Sequence, residues 1–264
     1  MTTMLAELPP PLAIAIATAF GAIVGSFLNV CIYRLPLHKS IVWPASACTK
    51  CGRELMWYEN VPVVSWAALR ARCRTCGAPI SFRYPLIEAI TAATFGLAWW
   101  YFGPGALLAS RLVFACALIV LFAIDLEHHL LPNAITLPGI AIGFLFSLIT
   151  EPGWLASLIG ILAGGGSLYL IAEAYYRVRH EEGLGMGDVK MLAMIGAFLG
   201  WKLTLMTLML ASVSGSVIGL LLIATRRGGM KYALPFGTFL ALGAFAAAAV
   251  GSPLLDWYLG FFQR

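Results

Sequence analysis

The chain alternates long apolar runs with short polar segments over most of its length. Because about 20 apolar residues in a helix span the hydrocarbon core of a bilayer, each such run predicts a membrane-spanning helix. The pattern predicts eight spans, at 10–33, 86–102, 105–124, 133–150, 154–176, 188–200, 203–224 and 232–251. The sixth is short, since the 12 residues from Lys190 to Trp201 cover only about 18 Å of helix.

Composition identifies the predicted helices as membrane helices. Hydrophobic residues make up 61% of the 264 residues and charged residues 11%, whereas a soluble domain is roughly 45–50% apolar and about 25% charged. We therefore predict an all-α polytopic protein embedded in a lipid bilayer. The N-terminal segment has no basic stretch and no cleavage motif before the first apolar run, so we expect the first helix to be retained.

The basic residues predict an orientation. Of the 17 Lys and Arg residues, 14 lie in the segments 34–85, 177–190 and 225–231. These three segments share one face if eight helices alternate in direction, and cytoplasmic loops are enriched in Lys and Arg. We predict that this face is cytoplasmic and that both termini are periplasmic. The net charge of +5 is then explained by topology, and no nucleic-acid partner is expected.

The segment 34–85 is too long and too polar to be a simple connection. It contains Cys48-Thr-Lys-Cys51 and Cys73-Arg-Thr-Cys76, and four thiolates at this spacing suit a tetrahedral Zn²⁺. Disulfides or redox chemistry are the alternative, but cytoplasmic thiols stay reduced. Because four cysteines leave no open coordination position, we predict a structural zinc ion. The predicted organisation is a first helix over 1–33, a zinc-binding module over 34–85 and a transmembrane bundle over 86–264.

Two aspartates lie at the predicted cytoplasmic ends of helices. Asp125 ends the third span in LIVLFAIDLEHHLLPN, and Asp188 begins the sixth in GLGMGDVKMLAMIG. One of two close carboxyl groups can activate water while the other polarises a carbonyl and protonates the leaving nitrogen, which is aspartyl-protease chemistry. Glycines at 183, 185 and 187 let another chain approach. Alternatively, Asp188 only caps its helix and Asp125 is an interfacial charge.

The residues around both aspartates resemble a known family. Gly185-Met186-Gly187-Asp188 matches the GxGD motif of intramembrane aspartyl proteases, and GLGMGDVK resembles the signature of the type IV prepilin peptidases. Further blocks resemble that family in the same order along nearly the whole chain: GSFLNVCIYRLP, WYENVPVVSWAALRARC, PISFRYPLIE, IDLEHHLLPNAITLP and LPFGTFLALGAF. Several ordered blocks are more specific than one short motif.

The resemblance implies a dual-function enzyme of the bacterial inner membrane. Such an enzyme removes the leader peptide of type IV prepilins and of type II secretion pseudopilins on the cytoplasmic side, after a glycine. It then methylates the new N-terminal residue with S-adenosylmethionine. By the match of motifs, the catalytic aspartates correspond to Asp125 and Asp188, and the tetracysteine set to Cys48, Cys51, Cys73 and Cys76.

The methyltransferase expectation rests on the resemblance alone. The sequence has no glycine-rich turn after a strand, so no Rossmann cofactor site is predicted. The candidate cofactor residues are Glu54, Glu59 and Asn60, each of which has a structural alternative. The family commonly has glycine where this chain has Ala71, and alanine disfavours a positive φ. A peptidase without methyltransferase activity is therefore an alternative, as are a polytopic transporter and a zinc-ribbon membrane scaffold.

Overall fold

The structure is a computed structural model that describes residues 9–181, 185–225 and 234–261, so Gly183 of the predicted glycine set lies outside it. Its regular structure in these ranges is helical, which confirms the predicted all-α class. The helices are α1 (Pro10–Arg34), α2 (Val64–Ala68), α3 (Arg83–Phe102), α4 (Ala106–His128), α5 (Asn133–Ser147), α6 (Trp154–Arg179), α7 (Met186–Ala224) and α8 (Phe236–Phe261). Two 3₁₀ turns lie at Leu35–Leu37 and Trp57–Asn60.

The helix lengths support a multi-pass membrane protein but not the predicted count. Among the described residues, four helices are long and apolar enough to cross a membrane: α1 with its extension to Leu37, α4, α6 and α7. The prediction of eight spans is not confirmed, and helix length is the main reason. The 15 residues of α5 cover about 22 Å, less than the roughly 30 Å of the hydrocarbon core, and α7 joins the predicted sixth and seventh spans.

Helix α7 contains a break at Gly200, close to the predicted boundary between those two spans. Gly200 has φ 73° and ψ 170° inside the assigned helix, a conformation that glycine adopts at little cost. A Cβ atom at this position would also lie 2.9 Å from Cβ of Pro152. The break therefore ends a first half-helix over 186–199, which carries Asp188 at its beginning.

The chain divides into two compact units, Met1–Val120 and Leu121–Arg264. In the first unit, α1 packs along α3, and the segment between them carries the four cysteines of the tetracysteine motif. In the second unit, α7 packs against α5, α6 and α8, and its first half is almost completely buried. The division falls within α4, and the predicted organisation into 1–33, 34–85 and 86–264 stays a prediction.

Glycines bring the backbones of α6 and α7 together. A Cβ atom on Gly160 would lie 2.5 Å from the carbonyl oxygen of Gly196, and one on Gly196 would overlap the carbonyl group of Gly160. Nearby, the Ser157 hydroxyl donates a hydrogen bond of 2.8 Å to the carbonyl of Ala197. The short first half of α7 is therefore fixed by backbone contact with α6.

We predict that Gly160→Ala destabilises the protein while Gly166→Ala in the same helix does not. The new methyl group at position 160 meets the backbone of α7, and such overpacking costs about 1–3 kcal/mol. A Cβ atom added at position 166 would have no heavy atom within 4 Å, and alanine favours helix over glycine by roughly 1 kcal/mol. Thermal unfolding in detergent should show a lower midpoint for the first variant only. Equal midpoints for the two variants would contradict the close contact.

Candidate active site and metal centre

Asp125 is a buried carboxylate held by the beginning of another helix. It lies in the last turn of α4 and is only 4% exposed. Its Oδ2 accepts hydrogen bonds from the backbone N–H of Thr238, at 2.6 Å, and from the Thr238 hydroxyl, at 3.0 Å. Thr238 is in the first turn of α8, where N–H groups lack helical partners. An interfacial charge would be exposed, so the burial of Asp125 argues against that alternative.

Asp188 comes to the same site from the beginning of α7. It is the third residue of that helix, whose N-cap is Gly185 and has no side-chain capping bond. Asp188 is therefore not the N-cap residue, but its carboxyl group accepts a hydrogen bond from the backbone N–H of the N-cap residue Gly185. Its carboxyl group interacts electrostatically with that of Asp125. The structure thus brings together, from two different helices, two aspartates that are 63 residues apart in sequence.

Glycines allow the backbone to approach the two carboxyl groups. Leu131, in the loop after α4, lies against two of them, since a Cβ atom on Gly187 or on Gly237 would be 2.9 Å from its side chain. The same added atom on Gly237 would be 3.0 Å from Oδ2 of Asp125, and one on Gly185 would be 3.3 Å from Oδ2 of Asp188. Small residues therefore border both carboxyl groups, and the Leu131 side chain packs against the glycines at positions 187 and 237.

The sequence analysis identified Gly185, Gly187 and both aspartates but missed Gly237 and Thr238. A signal was present in LPFGTFLALGAF, where a glycine and a hydroxyl residue follow a proline at the start of an apolar run. Such residues are typical of a helix N-terminus. The signal gives no indication that Asp125 is the partner, because that contact joins residues 113 positions apart.

The four predicted metal ligands form one cluster in the first unit. Their Sγ atoms all lie within 4.8 Å of one another, and Sγ of Cys48 is 3.8 Å from Sγ of Cys76. All four thiols are free, so the disulfide alternative is not observed. A tetrahedron of Zn–S bonds of about 2.3 Å has edges of about 3.8 Å. The cluster therefore fits a tetrahedral metal ion.

Two similar turns build this cluster. The N–H of Gly52 donates to the carbonyl of Cys48, and the N–H of Gly77 donates to the carbonyl of Cys73, each at 2.9 Å. Both glycines have a positive φ, 71° and 67°, which explains why glycine follows the second cysteine of each pair. The repeated Cys-x-x-Cys-Gly pattern could have predicted these turns. The spacing of the cysteines alone does not predict them.

The N–H groups of these turns also lower the pKa of two of the thiols, which favours the thiolate form that binds a cation. Backbone N–H groups of Cys51 and Lys50 lower the pKa of Cys48 to about 6, and those of Cys76 and Thr75 lower the pKa of Cys73. The N–H of Ala78 lowers the pKa of Cys76, but desolvation and the neighbouring thiols outweigh it and raise the value to about 11. Metal binding must therefore displace at least one proton from the cluster.

The candidate cofactor residues have different environments. The Glu59 side chain is 2% exposed and accepts hydrogen bonds from Nη2 of Arg53 at both oxygens, 2.7 and 2.8 Å. Oε2 also accepts from the N–H of Met56, and these bonds, those of Arg53 first, lower the pKa of Glu59. Glu54 and Asn60 are exposed. Both carboxylate oxygens of Glu59 are therefore already hydrogen-bonded within the protein. The three residues do not by themselves form a binding site for S-adenosylmethionine.

Ala71 has the backbone conformation that the family's glycine would favour. Its φ is 57°, and that of Arg70 is 51°. The N–H of Ala71 donates to the carbonyl of Trp66, and its own carbonyl accepts from Ile80, so the turn is fixed on both sides. The chain therefore keeps the turn and bears the cost of a Cβ atom in the left-handed region.

We predict that Ala71→Gly stabilises the metal-loaded module. Removing the Cβ atom from a left-handed residue gains about 1 kcal/mol, which corresponds to a roughly fivefold lower Kd for zinc, since metal affinity includes folding free energy. Competition with a chromophoric chelator would measure this Kd. The matched control is Ala68→Gly in α2, where the helical backbone makes glycine unfavourable. Equal or weaker zinc binding by Ala71→Gly would contradict strain at this turn.

Comparison with known proteins gives matches over most of the chain. The sequence model of the Bacterial Peptidase A24 N-terminal domain matches residues 19–102, and that of the Type IV leader peptidase family matches residues 112–220. No solved structure gives a significant match.

Curated relatives named prepilin leader peptidase/N-methyltransferase match most of this chain. The protein of Myxococcus xanthus is 43% identical over 84% of this chain and 67% of its own length. That of Burkholderia pseudomallei is 38% identical over 94% and 89%, and that of Pseudomonas aeruginosa 34% identical over 95% of each chain. With both sequence models and these relatives in agreement, the chain belongs to the type IV leader peptidase family.

Proposed function

We propose that the chain is a membrane-embedded aspartyl endopeptidase that removes the leader peptide of type IV prepilins and pseudopilins on the cytoplasmic side, after a glycine. We further propose that it methylates the new N-terminal residue with S-adenosylmethionine. Curated relatives carry both activities in their name, and family membership makes the chain an enzyme. The observation that carries the proposal is the meeting of Asp125 and Asp188 in one glycine-lined site.

Hydrolysis follows from the two carboxyl groups. One carboxylate accepts a proton from water, and the water oxygen forms a bond to the carbonyl carbon of the scissile peptide. The other carboxyl group polarises the carbonyl and gives its proton to the leaving nitrogen as the C–N bond breaks. Because Oδ2 of Asp125 already accepts two hydrogen bonds from Thr238, we assign contact with water or substrate to its Oδ1.

The position of these groups favours a peptidase over a transporter. Asp125 is in the last turn of α4, whereas Asp188 and Thr238 are in the first turns of α7 and α8. A transporter site would place its polar groups near the middle of the spanning helices. A site at helix ends suits a substrate whose leader is in the cytoplasm and whose apolar segment is in the membrane.

The module with four cysteines has a separate role in the proposal. We assign its metal as Zn²⁺ bound by Cys48, Cys51, Cys73 and Cys76, where it stabilises a fold too small for a large core. Both aspartates lie in the region matched by the peptidase family. The module lies in the region matched by the separate N-terminal domain. We propose that methyl transfer uses the first unit, while cleavage uses the two aspartates of the second.

The central test is Asp125→Asn and Asp188→Asn, each of which should reduce leader cleavage by about a thousandfold or more, because general acid–base catalysis contributes typically 10²–10⁴-fold. Cleavage of a purified prepilin would be followed by the mass of the product. The control is Asp256→Asn, the same substitution at an exposed position near the other end of α8. Full cleavage by either active-site variant, in folded protein, would refute the aspartyl mechanism.

Thr238 provides a second test of the site. Thr238→Val removes the hydroxyl donor to Asp125 but keeps the backbone N–H, so we expect cleavage to fall about tenfold, as for loss of one hydrogen bond to a charged group. Thr238→Ser keeps the donor and should stay within about threefold of the wild type. The kcat for leader cleavage is the measurement. Equal rates for the Val and Ser variants would show that the hydroxyl does not support Asp125.

A further inference from the structure

Glu88 is a buried carboxylate that the proposed chemistry does not use. It lies in the second turn of α3 and is 8% exposed. Its Oε2 accepts a hydrogen bond of 2.7 Å from the backbone N–H of Val63, and the Ser26 hydroxyl of α1 interacts with the same carboxyl group. A carboxylate is buried at high cost unless it is hydrogen-bonded. Val63 and Ser26 supply the required donors from two different segments.

The turn at Val63 has an unfavourable backbone conformation. Val63 has φ 61° and ψ −48°, and the N–H of Val64 donates to the carbonyl of Pro62. These values describe a γ-turn of the rare, strained kind, and a β-branched residue with positive φ is an outlier. Such a conformation persists only when its surroundings hold it. The hydrogen bond to Glu88 is a contact that does so.

Glu88 is itself on a rigid support. A Cβ atom on Gly25 of α1 would lie 2.8 Å from Cα of Glu88, so the two helix backbones touch at this level. One turn away, Nδ2 of the buried Asn29 donates a hydrogen bond of 3.0 Å to the carbonyl of Tyr84. The carboxylate therefore projects from a helix pair that cannot shift without breaking close contacts. The strained turn is tied to this pair at one point.

The tied turn belongs to the module that carries the cysteines. It lies between the 3₁₀ turn Trp57–Asn60 and helix α2. After α2, the chain enters the second cysteine pair, and the indole Nε1 of Trp66 donates to the carbonyl of Ile80, at 3.1 Å. A change at Val63 is therefore transmitted to α2 and to the turn at Cys73. The hydrogen bond from Val63 to Glu88 joins the module to α3, beside the bonds that Arg34 of α1 donates to the carbonyls of Ser40 and Pro44.

We propose that Glu88 is a positioning residue that fixes the tetracysteine module on the α1–α3 pair by holding the strained turn at Val63. One part of this inference rests on the proposed methyltransferase function: we expect methyl transfer to require a module that is fixed in this position. Leader cleavage uses residues of the second unit and does not require Glu88.

The first test is hydrogen exchange of the full-length, zinc-loaded protein in lipid nanodiscs, followed by mass spectrometry of peptides that contain residues 61–66. Glu88→Leu removes the acceptor, and we expect exchange there to increase at least tenfold. Glu88→Gln keeps an acceptor oxygen of similar shape and should stay within threefold of the wild type. Thr94→Ala is the control in α3, since the Thr94 hydroxyl donates a hydrogen bond to Ile90 of its own helix.

A double variant separates the hydrogen bond from general packing. Val63→Gly removes the Cβ atom and relieves the strained φ, so it should restore at least threefold protection when added to Glu88→Leu. Alone, it should leave exchange at or below the wild-type level. Unchanged exchange in Glu88→Leu, or Glu88→Gln as damaging as Glu88→Leu, would overturn the positioning role. If Glu88→Leu does not fold, a tenfold rise in exchange in Val63→Gly alone would also overturn it.

Activity provides the second readout. In Glu88→Leu, transfer of labelled methyl from S-adenosylmethionine to a cleaved pilin should fall at least tenfold, with leader cleavage within twofold of the wild type. Equal loss of both activities would overturn the specific link to methylation. If the wild type transfers no methyl, the proposed methyltransferase function fails, whereas the exchange results still decide the role of Glu88, because they need no cofactor.

Discussion

The arrangement of the second unit depends on one buried carboxylate. Asp125 is removed from water at the end of α4, and a carboxylate in such a place needs hydrogen-bond donors from the protein. Thr238 supplies two of them from the first turn of α8, where the helix dipole favours a negative charge. Its N–H also donates a longer bond, of 3.2 Å, to the carbonyl of Pro235. One interaction thus satisfies the carboxylate, satisfies the helix end and fixes α8 relative to the last turn of α4.

Backbone contacts complete the geometry that this interaction begins. Glycines allow α6 and α7 to touch at Gly160 and Gly196, and the break at Gly200 ends the first half of α7. Packing between apolar helices gains little from the hydrophobic effect inside a membrane, so close contact of small residues is the main source of specificity. The short half-helix that carries Asp188 is therefore located by α6, while Asp125 is located by α8.

Sequence reasoning predicted the parts of this molecule that local patterns encode. Apolar runs gave helix positions close to those of α1, α3, α4, α5 and α6. Predicted helix ends and the family resemblance indicated Asp125 and Asp188, and the Cys-x-x-Cys spacing indicated the four cysteines. Hydropathy did not establish the number of spans, because α5 is short and α7 contains two predicted helices. It also did not reveal the role of Thr238, Glu59 or Glu88, since each acts through a tertiary partner that the sequence does not specify.

Ala71 has a positive φ, a conformation that favours glycine. A glycine is expected there by resemblance, and the turn has the conformation that glycine favours even though alanine occupies it. The fold therefore tolerates the Cβ atom because hydrogen bonds to Trp66 and Ile80 hold the turn. Val63 also has a positive φ, and its N–H donates a hydrogen bond to Glu88. In this module, side-chain and backbone hydrogen bonds compensate for conformations that the residue types disfavour, so the alanine does not by itself remove the architecture on which a second activity would rely.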